Sequence, residues 1–195
     1  MKLLREGGKI IAHILDVTGD LVRPGISTAE LNKFAEDAIY KVGGIPAFKN
    51  YPANSDNSFP AGLCTSRNEE VVHGIPSEKV ILEEGDIISL DIGMKYKGLF
   101  TDMAKTVPVG KISPELERLS RITKEALYKG LAEVKPGNTL ADIGEAVQKH
   151  AEAAGYGVVR DLVGHGVGHE VHEDPQVPNY KTRSGARVIL KPGLV

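Results

Sequence analysis

The chain has 195 residues, a formal charge of −2, a pI near 6.3 and 41% hydrophobic residues, values suited to one sizeable domain or to two small halves sharing a core. So balanced a charge excludes a broad electrostatic grip on nucleic acid. A single cysteine, Cys64, excludes an intrachain disulfide framework and fits a reducing, cytoplasmic compartment. No apolar run approaches the ~18 residues of a membrane span, and Arg5-Glu6-Gly7-Gly8 follow Leu3-Leu4 too soon for a secretory signal.

Along the chain, Ile10, Ile11, Ile14 and Leu15 have helical spacing, and the Pro24-Gly25 turn is expected to stop that helix. Ser27 with Glu30 makes a capping-box pattern for a second helix, which should end in a left-handed cap at Gly43-Gly44. The polar stretch Asn54–Ser58 reads as a surface loop. Ile87–Ile92 and Leu99–Met103 are β-rich and flank the turn-like Lys95-Tyr96-Lys97-Gly98. Leu116, Leu119, Ile122, Ala126 and Leu127 again have helical spacing, and Thr139 with Asp142 starts a further helix that should end near Gly155.

These later elements repeat the earlier ones. Pro24-Gly25-Ile26-Ser27-Thr28-Ala29-Glu30-Leu31 matches Pro136-Gly137-Asn138-Thr139-Leu140-Ala141-Asp142-Ile143 at an offset of 112 residues without a gap. Val80-Ile81-Leu82-Glu83-Glu84-Gly85 matches Val188-Ile189-Leu190-Lys191-Pro192-Gly193 at an offset of 108. Duplication explains two matches in the same order, giving halves of about 1–110 and 111–195, each running helix, turn, helix and then strands. The first half continues through Ile88-Ser89-Leu90-Asp91, whereas the counterpart of Asp91 falls past Val195, so the chain is expected to stop short of its last strands.

In a hairpin centred between Tyr96 and Lys97, Asp91 would stand directly opposite Asp102 on one face of the sheet, unless a bulge at Gly98 shifts the register. Two carboxylates so close repel unless a cation lies between them. The alternative, two strand-end acids facing water, sits poorly with Asp91 inside an apolar run. A second concentration is Gly164-His165-Gly166-Val167-Gly168-His169-Glu170-Val171-His172-Glu173, whose alternating glycines oppose a helix and permit close backbone approach. The helical zinc motif H-E-x-x-H is absent, which leaves His165 as a candidate single ligand on an extended segment. His73, in Val72-His73-Gly74, echoes Gly164-His165-Gly166, as if both halves placed a histidine alike, whereas His13 and His150 read as ordinary surface or structural residues. Mixed carboxylate and imidazole donors suit Mn, Fe, Co or Zn better than Ca or Mg. No serine elbow, phosphate loop or dinucleotide fingerprint is present, and Cys64 reads as a small buried residue rather than a nucleophile.

Asn68-Glu69-Glu70-Val71-Val72-His73-Gly74-Ile75-Pro76, Leu90-Asp91-Ile92-Gly93, Thr101-Asp102-Met103-Ala104, Gly164-His165-Gly166-Val167-Gly168 and His172–Tyr180 together resemble the type I methionine aminopeptidases. The resemblance covers nearly the whole chain and implies an α+β pita-bread fold forming one catalytic peptidase domain across residues 1–195. It implies two divalent ions per monomer, with Asp91, Asp102 and His165 as ligands, Asp102 bridging, and two further glutamate ligands beyond Val195. His73 and His172 match the family's substrate-contacting catalytic histidines, while Phe48, Tyr51 and Cys64 fall where it lines its methionine pocket. The implied activity is removal of the initiator methionine from nascent proteins whose second residue is small. The implied partner is thus an N-terminal peptide, with encounter at the ribosome left open and neither nucleic acid nor membrane expected. With three of five ligands, the chain by itself is expected to be inactive. An Xaa-Pro aminopeptidase or prolidase relative is an alternative, although such proteins usually carry an added N-terminal domain. A non-catalytic module of the same fold is another, against which the retention of Asp91, Asp102 and His165 speaks.

Overall fold

The computed structural model describes residues 1–53 and 55–195; Asn54, at the start of the expected loop, lies outside the described residues, and Ser55–Asn57 are exposed as that loop requires. The chain resolves into two units, residues 1–113 with 168–171, and residues 114–167 with 172–195.

In the first unit, helix α1 (Lys2–Gly19) buries Gly7, Ile11, Ile14, Leu15, Thr18 and Gly19, a stripe at three- and four-residue spacing. The helix ends five residues before Pro24, contrary to the expectation from the Pro-Gly turn. Its closing turn is held by Asp20 N–H on Asp16 O and Leu21 N–H on Thr18 O, so Pro24-Gly25 shapes the following link instead. Helix α2 (Thr28–Lys41) starts at the predicted capping box, with the Ser27 N–H and hydroxyl donating to the Glu30 carboxylate at 2.9 and 2.8 Å. Both helices cover one face of an antiparallel sheet made of β1 (Ile45–Pro46), β2 (Leu63–Arg67), β3 (Ile87–Tyr96) and β4 (Leu99–Pro108). Strand β3 is central, pairing with β1 and β2 along one edge and with β4 along the other. Its even-numbered residues Ile88, Leu90, Ile92 and Met94 are fully buried beneath the helices with Ile11, Leu15, Leu31 and Ile39.

The hairpin register differs from the sequence expectation. Tyr96 pairs with Leu99, so the two-residue turn is Lys97-Gly98, with φ of 49° and 87°, the positive pair of a type I′ turn. Asp91 therefore faces Ala104 and Asp102 faces Gly93. The shift is two residues, a whole pleat, so the acids remain on one face as diagonal rather than direct neighbours.

The second unit holds helices α3 (Pro114–Ala132) and α4 (Leu140–Ala153), packed together, then strands β5 (Gly164–Gly166) and β6 (Glu173–Val177) and a 3₁₀ turn at Gly185–Arg187. The duplication read from the sequence recurs bond for bond. Gly25 N–H donates to Leu82 O and Gly137 N–H to Leu190 O; Thr28 N–H donates to Val80 O and Leu140 N–H to Val188 O. Both second helices end in the same paired closure, Gly43 on Tyr40 O with Gly44 on Ile39 O, and Gly155 on Glu152 O with Tyr156 on Ala151 O. The packing is not repeated everywhere: Leu15 is fully buried against the first unit's sheet, while its counterpart Leu127 is 56% exposed. The mixture of helices and antiparallel strands in each unit agrees with the α+β class expected from the sequence.

Because Gly98 holds a backbone conformation that a Cβ disfavours, Gly98→Ala should cost roughly 1 kcal/mol. Urea titration followed by circular dichroism measures it, and an unchanged midpoint would contradict the assigned turn.

Candidate active site

Alternation along β3 separates core from chemistry. The even positions enter the core, and the odd positions Asp91 and Gly93 lie on the opposite face, with Asp102 of β4 and Cys64 of β2, which pairs with Asp91. This face carries a small apolar cluster of Phe48, Cys64 and Val171, with Ala47, Phe59 and Phe100 partly buried against it. Gly93 makes that cluster possible: a Cβ there would stand 2.5 Å from the Phe48 ring, and the Gly93 carbonyl accepts from Ala47 N–H at 2.9 Å.

The electrostatics of this face are unusual for a sheet surface. Burial pushes the Asp102 carboxyl above its ordinary range, while its hydrogen bonds with Asp91 and with the Met103 N–H work against that rise. The Cys64 thiol is pushed up to about 12, first by burial and then by the negative Asp91 and Asp102, with the His73 N–H pulling the other way. Three side chains from three strands thus share one poorly solvated, negative environment.

His73 is exposed and held at φ 60°, a conformation uncommon for a residue other than glycine. The next residue explains its placement. Gly74 lies flat on β2, accepting from Thr65 N–H at 2.8 Å and donating to Ser66 Oγ at 3.0 Å, where a Cβ would meet the Thr65 carbonyl at 2.5 Å.

In the second unit His165 sits in β5 opposite Gln176, beside a register shift before Gly166. Its Nδ1 lies 2.9 Å from the Gly166 carbonyl; a carbonyl only accepts, so Nδ1 carries the proton and Nε2 is the lone-pair nitrogen of the neutral ring. The His172 ring stands edge-on to it, centroids 4.4 Å apart. The echo between His73 and His165 therefore holds only in part. Each precedes a glycine pressed on a neighbouring backbone, a Cβ at Gly166 standing 2.6 Å from the Asp174 carbonyl, but only His165 belongs to a strand.

Of the residues singled out from sequence, Asp91, Asp102, Cys64 and Phe48 come together in the first unit, and His165 and His172 in the second. Tyr51 is not in the apolar cluster; it is 36% exposed and bridges Phe59, whose N–H donates to its carbonyl at 2.8 Å. His169 is exposed, and His150 pairs with Glu125 at 3.0 Å. Among the described residues no group of three or more His, Cys, Asp or Glu side chains stands ready to hold an ion. The donors nevertheless fit one, since two hydrogen-bonded, half-buried acids gain from a divalent cation what they lose to mutual repulsion. Phe59, Phe100 and Val171 were not anticipated; only Phe100, two residues from Asp102 on a strand, carried a readable signal.

The model of metallopeptidase family M24 matches residues 2–195. The chain is 48% identical to methionine aminopeptidase 1 of Bacillus subtilis, covering 99% of this chain and 75% of that protein. It is 48% identical to a methionine aminopeptidase of Clostridium acetobutylicum, covering 92% and 70%. Among solved structures, the crystal structure of methionine aminopeptidase from Thermotoga maritima superposes with a TM-score of 0.92 at 38% identity, over 99% of this chain and 75% of that one.

Gly93→Ala should cost about 1–3 kcal/mol by displacing Phe48, whereas Gly8→Ala in α1, with nothing within 4 Å of a new Cβ, should cost nothing. Paired urea titrations test this, and equal midpoints for the two variants would remove Gly93 from its packing role.

Proposed function

The chain belongs to metallopeptidase family M24, and on that premise we propose that it is a methionine aminopeptidase, releasing N-terminal methionine from peptides whose second residue is small. The observation that carries the reading is the pair Asp91 and Asp102, hydrogen-bonded on the chemistry-bearing face of the β3–β4 hairpin. It is supported by the 48% identity to methionine aminopeptidase 1 of Bacillus subtilis over nearly the whole chain. Family membership makes the activity metal-dependent; we propose two ions, with Asp91, Asp102 and His165 as ligands and Asp102 bridging.

A divalent cation supplies there a Lewis acid for the scissile carbonyl and a lowered pKa for the attacking water. The chain's own residues supply the rest. Asp91 and Asp102 offer anionic oxygens, and their closeness on a half-buried face favours a cation between them. The Gly166 carbonyl holds the His165 Nδ1 proton and so presents Nε2 as a donor of electrons rather than of a proton. His73 and His172 are assigned to the substrate backbone, His172 donating a hydrogen bond to the carbonyl oxygen as it gains negative charge. Phe48 and Cys64 are assigned to the wall that receives the methionine side chain, a buried apolar surface suited to a thioether. Tyr51 is assigned to its rim. The single cysteine supports a cytoplasmic setting, and no helix among the described residues is long and apolar enough to cross a membrane.

The whole protein, carrying all five ligands and supplied with Mn or Co, should cleave Met-Ala-Ser and leave Ala-Pro peptides intact; a preference for the proline peptides would move it to the Xaa-Pro class. In the whole protein, Asp91→Asn and Asp102→Asn should each lose most bound metal, since each exchanges an anionic ligand for a neutral one. Metal content by mass spectrometry decides, and wild-type stoichiometry in both variants would end the assignment of these acids.

A further inference from the structure

One buried acid of the first unit has no part in the chemistry assigned above. Glu36, on α2, is 8% exposed, and its carboxylate is directed to the two ends of a long connection rather than to water. One oxygen, Oε2, accepts from Lys49 Nζ at 2.5 Å; the other, Oε1, accepts from Gly62 N–H at 2.9 Å. Asn32, one turn earlier on the same helix, reinforces it. Its Nδ2 donates to Glu36 Oε1 at 3.1 Å, and its Oδ1 accepts from the Gly62 and Leu63 N–H groups at 3.1 and 3.0 Å. Contact at Gly62 is so close that a Cβ there would stand 2.7 Å from Glu36 Cγ.

The two ends are the two sides of the apolar cluster. Lys49 follows Phe48, and Gly62 precedes Leu63 and Cys64 at the start of β2. Twelve residues lie between Lys49 and Gly62, and closing such a connection costs chain entropy that something must offset. An apolar side chain at position 36 would pack against α2's neighbours without desolvating a charge, so a buried carboxylate is justified by the bonds it makes. Those bonds all serve the connection.

We propose that Glu36 is a positioning residue for the side-chain pocket, clasping Lys49 and Gly62 so that Phe48 and Cys64 are held against each other as its wall; this rests on the pocket assignment made above. The clasp acts through charge on the Lys49 arm and through backbone hydrogen bonds on the Gly62 arm. Glu36→Gln keeps the size and can still accept from Gly62, but it breaks the first arm. Lys49→Met breaks the same arm from the other side, and Lys49→Arg preserves it.

Cys64 is the only cysteine and is 3% exposed, so its modification by iodoacetamide reports opening of this wall alone. Labelling is followed at fixed pH in urea concentrations below the unfolding transition, which separates local opening from global unfolding. Glu36→Gln and Lys49→Met should label about tenfold faster than wild type through local opening, as loss of one charged hydrogen bond predicts, with Lys49→Arg near wild type. L-methionine should protect Cys64 in wild type, at a concentration about tenfold higher in Glu36→Gln. Equal labelling of wild type and Glu36→Gln overturns the clasp, as does acceleration that only tracks lost global stability, or Lys49→Arg behaving like Lys49→Met. Failure of L-methionine to protect the wild type is separate from those rates and overturns the pocket reading on which the clasp rests.

Discussion

Strand β3 has to satisfy two solvents at once. Its pleat sends Ile88, Leu90, Ile92 and Met94 into a fully dry core and Asp91 and Gly93 to the opposite face, and no other element of the first unit is bounded by structure on so many sides. The acids and Cys64 of the candidate site are fixed by that alternation. Asp102 reaches the same face because the type I′ turn at Lys97-Gly98 sets an even shift; Cys64 reaches it because β2 pairs Cys64 with Asp91. A slip of one residue anywhere in the hairpin would carry an acid into the hydrocarbon core beneath α1 and α2, at a cost of several kcal/mol. The core therefore enforces the register of the site without contacting it.

The second constraint is the duplication. What recurs between the halves is the polar scaffolding: the capping boxes at Ser27 and Thr139, the link closures at Gly25 and Gly137, and the helix ends at Gly43 and Gly155. These are local devices in which a few atoms of defined geometry must meet, so substitutions there are costly and the pattern stays readable. Packing surfaces tolerate exchange of one apolar residue for another and lose their likeness sooner. That is why the sequence match is clear at the turns and faint along the helices.

Legibility of the site followed the same division. The helices, their caps and the β3–β4 hairpin could be read because each depends on periodicity or on a turn residue within a few positions. The hairpin centre was misplaced because Lys97, an unusual residue for positive φ, hides the first position of a turn that Gly98 alone announces. Phe59 and Val171 escaped for a different reason. They join Phe48 and Cys64 from distant parts of the chain, and nothing in a local pattern records such a meeting. Glu36 was invisible likewise, since on its helix it resembles any solvated glutamate and only the closure of a distant connection distinguishes it.

Charge sets the last relation between stability and chemistry here. Asp91 and Asp102 lie side by side on a half-buried face; burial raises the Asp102 carboxyl, and two full charges there are unfavourable without a counter-ion. A third anion would make it worse. Cys64 lies against Asp91 and is soft enough to be a ligand, yet burial and the two acids push its thiol up to about 12. At neutral pH it is therefore an uncharged, polarisable surface rather than a thiolate, suited to touching a thioether and poorly suited to nucleophilic attack. Burial, the larger cause, would keep the thiol neutral even where a cation offset the two acids. On the roles proposed above, one electrostatic field would divide the face into a charged half for metal and a neutral half for the side chain of a substrate, with neighbouring residues on paired strands serving opposite ends.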